Sequence, residues 1–145
     1  MPKGECFEFL EHTADVYIAA HGSTLKEAFG NAALAMFEVM TNTAKVKPRF
    51  MDELMVTEGD EAALLYSWLE CLLIKFDVDR KLYSKFSVEK IDRRPSGFFL
   101  KGRAWGEPYD QKKHVSRTEV KAITYHLMEI LKGENKATVK FILDI

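Results

Sequence analysis

The carboxyl end of the sequence carries oxygen groups that could bind a divalent cation. Asp144 is followed by Ile145, whose terminal carboxylate would add a second hard oxygen donor one residue away. A third carboxylate, Asp15, lies near the amino end, three residues after His12. Ligand sets made only of oxygen favour Ca²⁺ or Mg²⁺ over Zn²⁺. If the fold brings Asp15 to the end of the last strand, these residues form the start of a cation site.

Each aspartate also has an ordinary structural interpretation. Asp15 follows a His-Thr-Ala stretch between two predicted strands, where an Asp can cap its own turn. Asp144 can equally be an exposed residue at the end of a strand, since surface Asp is common.

The densest polar stretch of the sequence runs over residues 106–124. Within it, Lys112, Lys113, His114 and Lys121 could donate hydrogen bonds to acidic groups or phosphates of a partner, with Glu119 beside them. The alternative is a solvated loop, because loops are polar whatever their function. Lys121 could also neutralise one of the aspartates, and His114 could cap a turn.

Several chemistries lack their sequence signature. The chain contains no phosphate-binding loop, dinucleotide fingerprint, nucleophile elbow or helical pair of zinc-binding histidines. Its two cysteines, Cys6 and Cys71, are distant from one another and predict reduced thiols in a cytosolic protein. The net charge of −1 supports no general affinity for nucleic acid, although a local basic face remains open.

Hydrophobic periodicity predicts the elements that must position these groups. Thr24 with Glu27 resembles a capping box, and Asp60 a helix cap, so two helices should follow them. The segment 122–131 is predicted as a strand because Ile123, Thr124 and Tyr125 favour β structure, although a helix is an alternative. The predicted elements are strands at 5–11, 16–20, 50–57, 86–91, 98–105, 122–131 and 137–145, helices at 25–40 and 61–77, and a loop at 106–109.

The order β-β-α-β-α-β-β-β-β predicts a single α+β domain over residues 1–145. Helices do not alternate regularly with strands, so a parallel doubly wound sheet is disfavoured. We expect two layers: one mainly antiparallel sheet with two main helices on one face. Hydrophobic residues make up 47% of the chain and can fill one core. No stretch approaches the roughly 18 apolar residues that a membrane helix needs, so we expect no membrane contact.

The motifs of this chain resemble those of the archease family, and the resemblance covers essentially its whole length. The strongest match joins residues 119–124 to the terminal Leu-Asp-Ile. The matching segments are residues 11–15, 35–41, 61–69, 105–107, His114, 119–126 and 143–145.

The resemblance implies a cofactor protein, not an enzyme. Archeases assist the RtcB-type tRNA-splicing ligase, promoting its guanylylation and multiple turnover, so the ligase is the expected partner and tRNA is contacted only through it. The family's metal site corresponds to Asp15, Asp144 and Ile145, with calcium the expected ion. His12, His114, Glu119 and Lys121 are expected to contact the partner or support the site. We expect a monomer in the cytoplasm, or also in the nucleus if the source is a eukaryote.

The sequence leaves the mechanism open. The site could deliver or organise a divalent ion in the ligase, or it could open the ligase pocket for nucleotide exchange. Two other functions compete with ligase activation. One is a chaperone-like protein-binding module; the other is a metal-dependent hydrolase, which the lack of a nucleophile–base pair disfavours.

Overall fold

The chain has an α+β fold, seen in a computed structural model that describes residues 6–12 and 14–145. The described residues contain seven strands and two long helices in the predicted order. The bounds are β1 Phe7–Leu10, β2 Val16–Gly22, α1 Leu25–Met40, a 3₁₀ turn Thr43–Lys45, β3 Phe50–Glu58, α2 Glu61–Asp79, β4 Lys81–Arg94, β5 Gly97–Pro108, β6 Ala122–Gly133 and β7 Lys136–Asp144. The α+β class and the strand assignment of 122–131 are confirmed; Glu5 and Thr13 lie outside the described residues.

The strands divide between two antiparallel sheets, whereas the sequence predicted one. The first sheet has the order β1-β2-β7-β6 and the second has the order β3-β5-β4. Each helix contacts strands of both sheets, so the helices join the two sheets and do not cover one face of a single sheet. The alternation of apolar and polar residues along a strand predicts which side chains face the core, but it does not predict which strand lies beside it. The division into two sheets could therefore not be predicted from the sequence.

The helix caps explain where both helices begin. The Thr24 hydroxyl accepts a hydrogen bond from the Glu27 N–H at 3.2 Å, and Asp60 accepts one from the Ala63 N–H at 2.8 Å. The predicted capping box is only half correct. The Glu27 carboxylate accepts from the N–H of Ser23 at 2.8 Å and not from the N–H of Thr24.

The core lies where the helices meet the sheets. Helix α1 is buried around most of its circumference, as expected for a helix that contacts two sheets. Trp68 of α2 is fully buried and donates its indole N–H to the Phe29 carbonyl at 3.0 Å. Its ring packs on Gly102 of β5, where a Cβ would lie only 2.8 Å from the ring. Gly102 is therefore required by the bulk of Trp68.

Strand β5 runs further than predicted, because residues 106–108 belong to it and not to a loop. Gly106 permits this, since a Cβ there would collide with the Leu82 carbonyl oxygen of β4. The extension carries Glu107 into the protein interior, where it is 2% exposed.

Candidate functional site

The start of β2 and the end of β7 are neighbours in the first sheet. The two strands pair antiparallel with Val16 opposite Leu143. Asp15 is the residue before β2 and Asp144 is the last residue of β7, so the two would face one another if this pairing continued by one residue. Residues directly opposite one another in an antiparallel pair project from the same face, with Cβ atoms roughly 5 Å apart. The pairing therefore brings the chain segments that carry the two predicted aspartates to the same end of the first sheet. We call Asp15, Asp144 and Ile145 the acidic corner.

The end of β7 is held from its other side by the start of β6. Ala122 pairs with Asp144, and the Lys121 N–H donates to the Asp144 carbonyl at 2.8 Å. This bond fixes the main chain at the corner and leaves the Asp144 side chain exposed. Within residues 6–12 and 14–145, the Lys121 ammonium forms no ion pair with either aspartate. Lys121 is itself exposed beside the corner.

His12 is the side chain that approaches Asp15 from the loop before β2. Its Nδ1 lies 3.9 Å from the Asp15 Oδ2, and the two side chains are 25% and 33% exposed. The imidazole also packs edge-on against Tyr17, with ring centroids 6.0 Å apart. At this distance the imidazole and the Asp15 carboxylate are neighbours without a hydrogen bond, and both groups remain open to a ligand.

Side chains alone do not complete a metal site at this corner. No cluster of three or more His, Cys, Asp or Glu side chains suited to a metal occurs in the described part of the chain. The corner supplies two carboxylates from adjacent strand ends, and a third oxygen group would come from the terminal carboxylate of Ile145. Like charges opposite one another destabilise a strand pair, and a hard cation between them would relieve that repulsion. The donor set is consistent with Ca²⁺ or Mg²⁺.

His114 lies inside the protein and binds the loop that follows β5. It is 2% exposed; its Nδ1 accepts the Asp110 N–H at 3.0 Å, so Nε2 carries the proton and donates to Glu107 at 2.8 Å. Both ring nitrogens are therefore engaged within the chain. This geometry fits the supporting role that was one of the two predicted for His114.

Glu107 is the buried carboxylate on which this loop converges, and the sequence analysis did not select it. It accepts hydrogen bonds from the Lys47 N–H at 2.9 Å, from the Lys113 ammonium at 2.8 Å and from His114. Burial opposes ionisation of Glu107, but these hydrogen bonds outweigh it and lower the pKa of Glu107 to about 2. One sequence signal could have identified Glu107: it lies six residues before Lys113 and seven before His114, close enough in the chain for a loop to pair them.

The rest of the connection from β5 to β6 is attached to the end of α1. The N–H groups of Arg117 and Thr118 donate to the carbonyls of Met40 and Val39, and the Arg117 guanidinium contacts Glu38 at 2.7 Å. Glu119 is exposed and lines a cavity of about 240 Å³ beside this segment. The connection therefore follows a fixed path from the end of α1 to Lys121, which lies beside the acidic corner.

The chain also matches known proteins over nearly its full length. The sequence model of the Archease protein family (MTH1598/TM1083) matches residues 7–145. The chain belongs to the archease family. The resemblance inferred from the motifs is thereby confirmed.

Two archaeal relatives and two solved structures show how close the likeness is. The archeases of Sulfurisphaera tokodaii and Sulfolobus acidocaldarius are 50% and 45% identical to this chain, covering 96% of it and 98% of each relative. Protein 1598 of Methanobacterium thermoautotrophicum, solved in solution, superposes with a TM-score of 0.83 at 43% identity, over 97% of this chain and 99% of that one. An archease of Thermotoga maritima, described as a possible chaperone, superposes with a TM-score of 0.62 at 19% identity, over 95% and 96%.

These comparisons establish the family and the fold. None of the names is that of an enzyme. The Thermotoga structure, at 19% identity, is evidence for the fold alone.

Both cysteines of this chain are free, and no helix in the described ranges is long and apolar enough to cross a membrane.

Proposed function

We propose that this protein activates an RtcB-type tRNA-splicing RNA ligase, promoting guanylylation and multiple turnover of the ligase through a cation bound at the acidic corner. The observation that supports the proposal is the antiparallel pairing of β2 with β7, which brings the segments carrying Asp15 and Asp144 to one end of the first sheet. Family membership supports it, because the chain matches the archease family over residues 7–145. In this proposal the protein is an activator and catalyses no reaction of its own.

Asp15, Asp144 and the terminal carboxylate of Ile145 would hold the ion, and calcium is the ion we expect. When bound, the ion supplies concentrated positive charge at the protein surface, where phosphate groups of a nucleotide could be neutralised. His12 lies beside Asp15, and the Lys121 N–H fixes the main chain of Asp144. The buried Glu107–His114 pair holds the preceding loop in place, so the Lys121 side chain stands beside the corner.

Activation requires that the protein favour one state of the ligase over another, because a bound partner can shift only an equilibrium between states that it binds differently. The exposed Lys121, just before β6 and beside the corner, is suited to docking on acidic groups or phosphates near the ligase active site. Delivery of the ion and opening of the ligase pocket both fit this arrangement.

The test measures guanylylation of the ligase in a single turnover, with and without the activator. The variants are Asp15→Asn, Asp144→Asn and a chain with one glycine added after Ile145, which moves the terminal carboxylate away from the corner. We expect each to reduce the stimulation by about tenfold or more, within the usual range of coupling between sites. Glu134→Gln, at the exposed turn between β6 and β7, is the matched control. Wild-type stimulation by all three corner variants would remove the corner from the mechanism.

A chaperone-like protein-binding module is the second candidate. Exposed apolar side chains on edge strand β6 favour it: Tyr125, Leu127 and Leu131 are 54%, 47% and 45% exposed. The Thermotoga relative is also described as a possible chaperone. Suppression of aggregation of unrelated client proteins, at stoichiometric ratios, would favour this function; an effect confined to the ligase would favour activation.

A further inference from the structure

The outer face of the second sheet is a solvent-facing surface that the proposed function does not use. Along β5, Leu100, Gly102 and Ala104 face the core, so the alternate residues face outward. Two aromatic residues, Phe99 and Trp105, stand on this outward side of the central strand. Neither belongs to the buried core or packs against it.

Cationic side chains surround these two rings. The Arg94 guanidinium lies 4.1 Å from the Phe99 ring centroid, and the Lys85 ammonium lies 4.7 Å from the Trp105 centroid. On this face cations outnumber carboxylates, although the chain as a whole has a net charge of −1. The cations are Lys85, Lys90, Arg94, Lys101 and Arg103, and the carboxylates are Glu53, Glu89 and Asp92.

The carboxylates neutralise only part of this charge. Glu53 lies 3.5 Å from Lys101, and Glu89 lies 2.6 Å from Arg103. Lys85 and Arg94 form no ion pair within the described part of the chain and are exposed. These two cations are therefore able to leave the rings for an incoming anionic group.

We propose that this outer face binds single-stranded RNA, with bases stacking at Phe99 and Trp105 and phosphates contacting the cations around them. Aromatic rings on an open sheet beside cations provide what a single strand needs, since every unpaired base has a π-face and every linkage a negative charge. An acidic peptide would use the cations but not the rings, and a duplex hides its base faces. Phe99 and Trp105 are six residues apart on one strand, roughly 20 Å, so a short oligomer spans both. The choice of RNA over DNA rests on the proposed function, in which the partner enzyme joins RNA ends.

Base stacking requires the ring faces to become accessible. At Trp105 an incoming base displaces the Lys85 ammonium, which then contacts a phosphate. At Phe99 the planar Arg94 guanidinium can itself stack on the base. Both cationic side chains are long and exposed, so these rearrangements leave the sheet unchanged.

Binding is measured by fluorescence anisotropy of a labelled single-stranded RNA of about ten nucleotides, with the isolated protein at about 50 mM salt. We expect Phe99→Ala and Trp105→Ala each to weaken binding about tenfold, in line with stacking energies per base. The double variant Lys85→Ala with Arg94→Ala should lower the salt slope by about 1.4. Tyr125→Leu and Lys136→Ala, exposed residues elsewhere, are the matched controls and should bind as wild type.

Tryptophan fluorescence gives a direct readout that does not depend on folding stability. The chain has two tryptophans, and Trp68 is fully buried whereas Trp105 is partly exposed. RNA should quench the emission of Trp105, and Trp105→Phe should abolish the quenching while retaining most of the affinity.

The proposal is overturned if the wild type shows no saturable binding, if Tyr125→Leu weakens binding as much as Trp105→Ala, or if DNA of the same sequence or an RNA duplex binds more tightly. Failure of the proposed function is distinguishable, because guanylylation is measured without RNA and RNA binding without the ligase. Trp105→Ala should stimulate guanylylation as the wild type does. Loss of both activities in that variant would contradict a separate RNA face.

Discussion

Single residues hold the long connection between β5 and β6 in place, and Glu107 contributes most. A buried carboxylate is costly unless it is satisfied, and this one accepts hydrogen bonds from three residues in two segments of the chain. Lys47 follows the 3₁₀ turn, while Lys113 and His114 belong to the connection itself. Glu107 therefore joins the connection to the end of β5.

The free energy of unfolding should depend on pH at acidic pH because Glu107 is ionised in the folded protein. Its pKa of about 2 lies below the ordinary value of 4.5, so its contribution to stability is complete above about pH 4.5 and is lost as the pH falls to about 2. We expect Glu107→Gln to lower the free energy of unfolding by roughly 1 to 3 kcal/mol at pH 7, with a difference from wild type that shrinks towards pH 2. Urea unfolding at several pH values, with Glu134→Gln as control, measures this. A difference independent of pH would contradict the assignment.

At the scale of the elements, signals between residues close together in the sequence predicted where the helices begin, whereas strand pairings between distant residues could not be predicted. Thr24 and Asp60 identified the starts of both helices because a cap depends on residues three positions away. The partition into two sheets depends on pairings such as that of β2 with β7, between residues more than a hundred positions apart. Glu107 was missed because Gly106 and Pro108 favoured a loop, and only the close approach of Leu82 shows why Gly106 belongs to a strand.

The same reasoning applies to the acidic corner. Residue types predicted Asp15, Asp144 and Ile145, but only the strand pairing shows that the ends of β2 and β7 that carry them are neighbours. For His114, the sequence allowed either a partner-binding or a supporting role. The burial of His114 beside Glu107 favours the supporting one.

The contact between Trp68 of α2 and Gly102 of β5 predicts that one methyl group added at Gly102 will destabilise the protein. Gly102→Ala would place a Cβ 2.8 Å from the Trp68 ring, in a core that cannot easily yield. We expect a loss of about 1 to 3 kcal/mol in the free energy of unfolding, measured by urea denaturation. Gly59→Ala is the matched control, because a Cβ there meets nothing within 4 Å. Equal stability of the two variants would show that Trp68 moves freely.

Over the whole molecule, a bound cation should couple the two ends of the chain to the stability of the fold. A ligand that binds only the folded state stabilises it by about 2.7 kcal/mol at a concentration of 100 Kd. We expect saturating Ca²⁺ to raise the Tm of the wild type by about 5 to 10 °C, and to have little effect on Asp15→Asn or Asp144→Asn. Thermal unfolding with and without a chelator measures this. An equal rise in the corner variants would place the ion elsewhere.

The position of β7 has a consequence for biosynthesis. It is the last strand in the sequence, yet it lies between β2 and β6, which do not pair with one another. The first sheet therefore cannot form its central ladders until β7 has been synthesised. Until then β2 and β6 each keep the unpaired edge that β7 later fills. The strands β3, β4 and β5 of the second sheet precede β7 in the chain and can pair earlier.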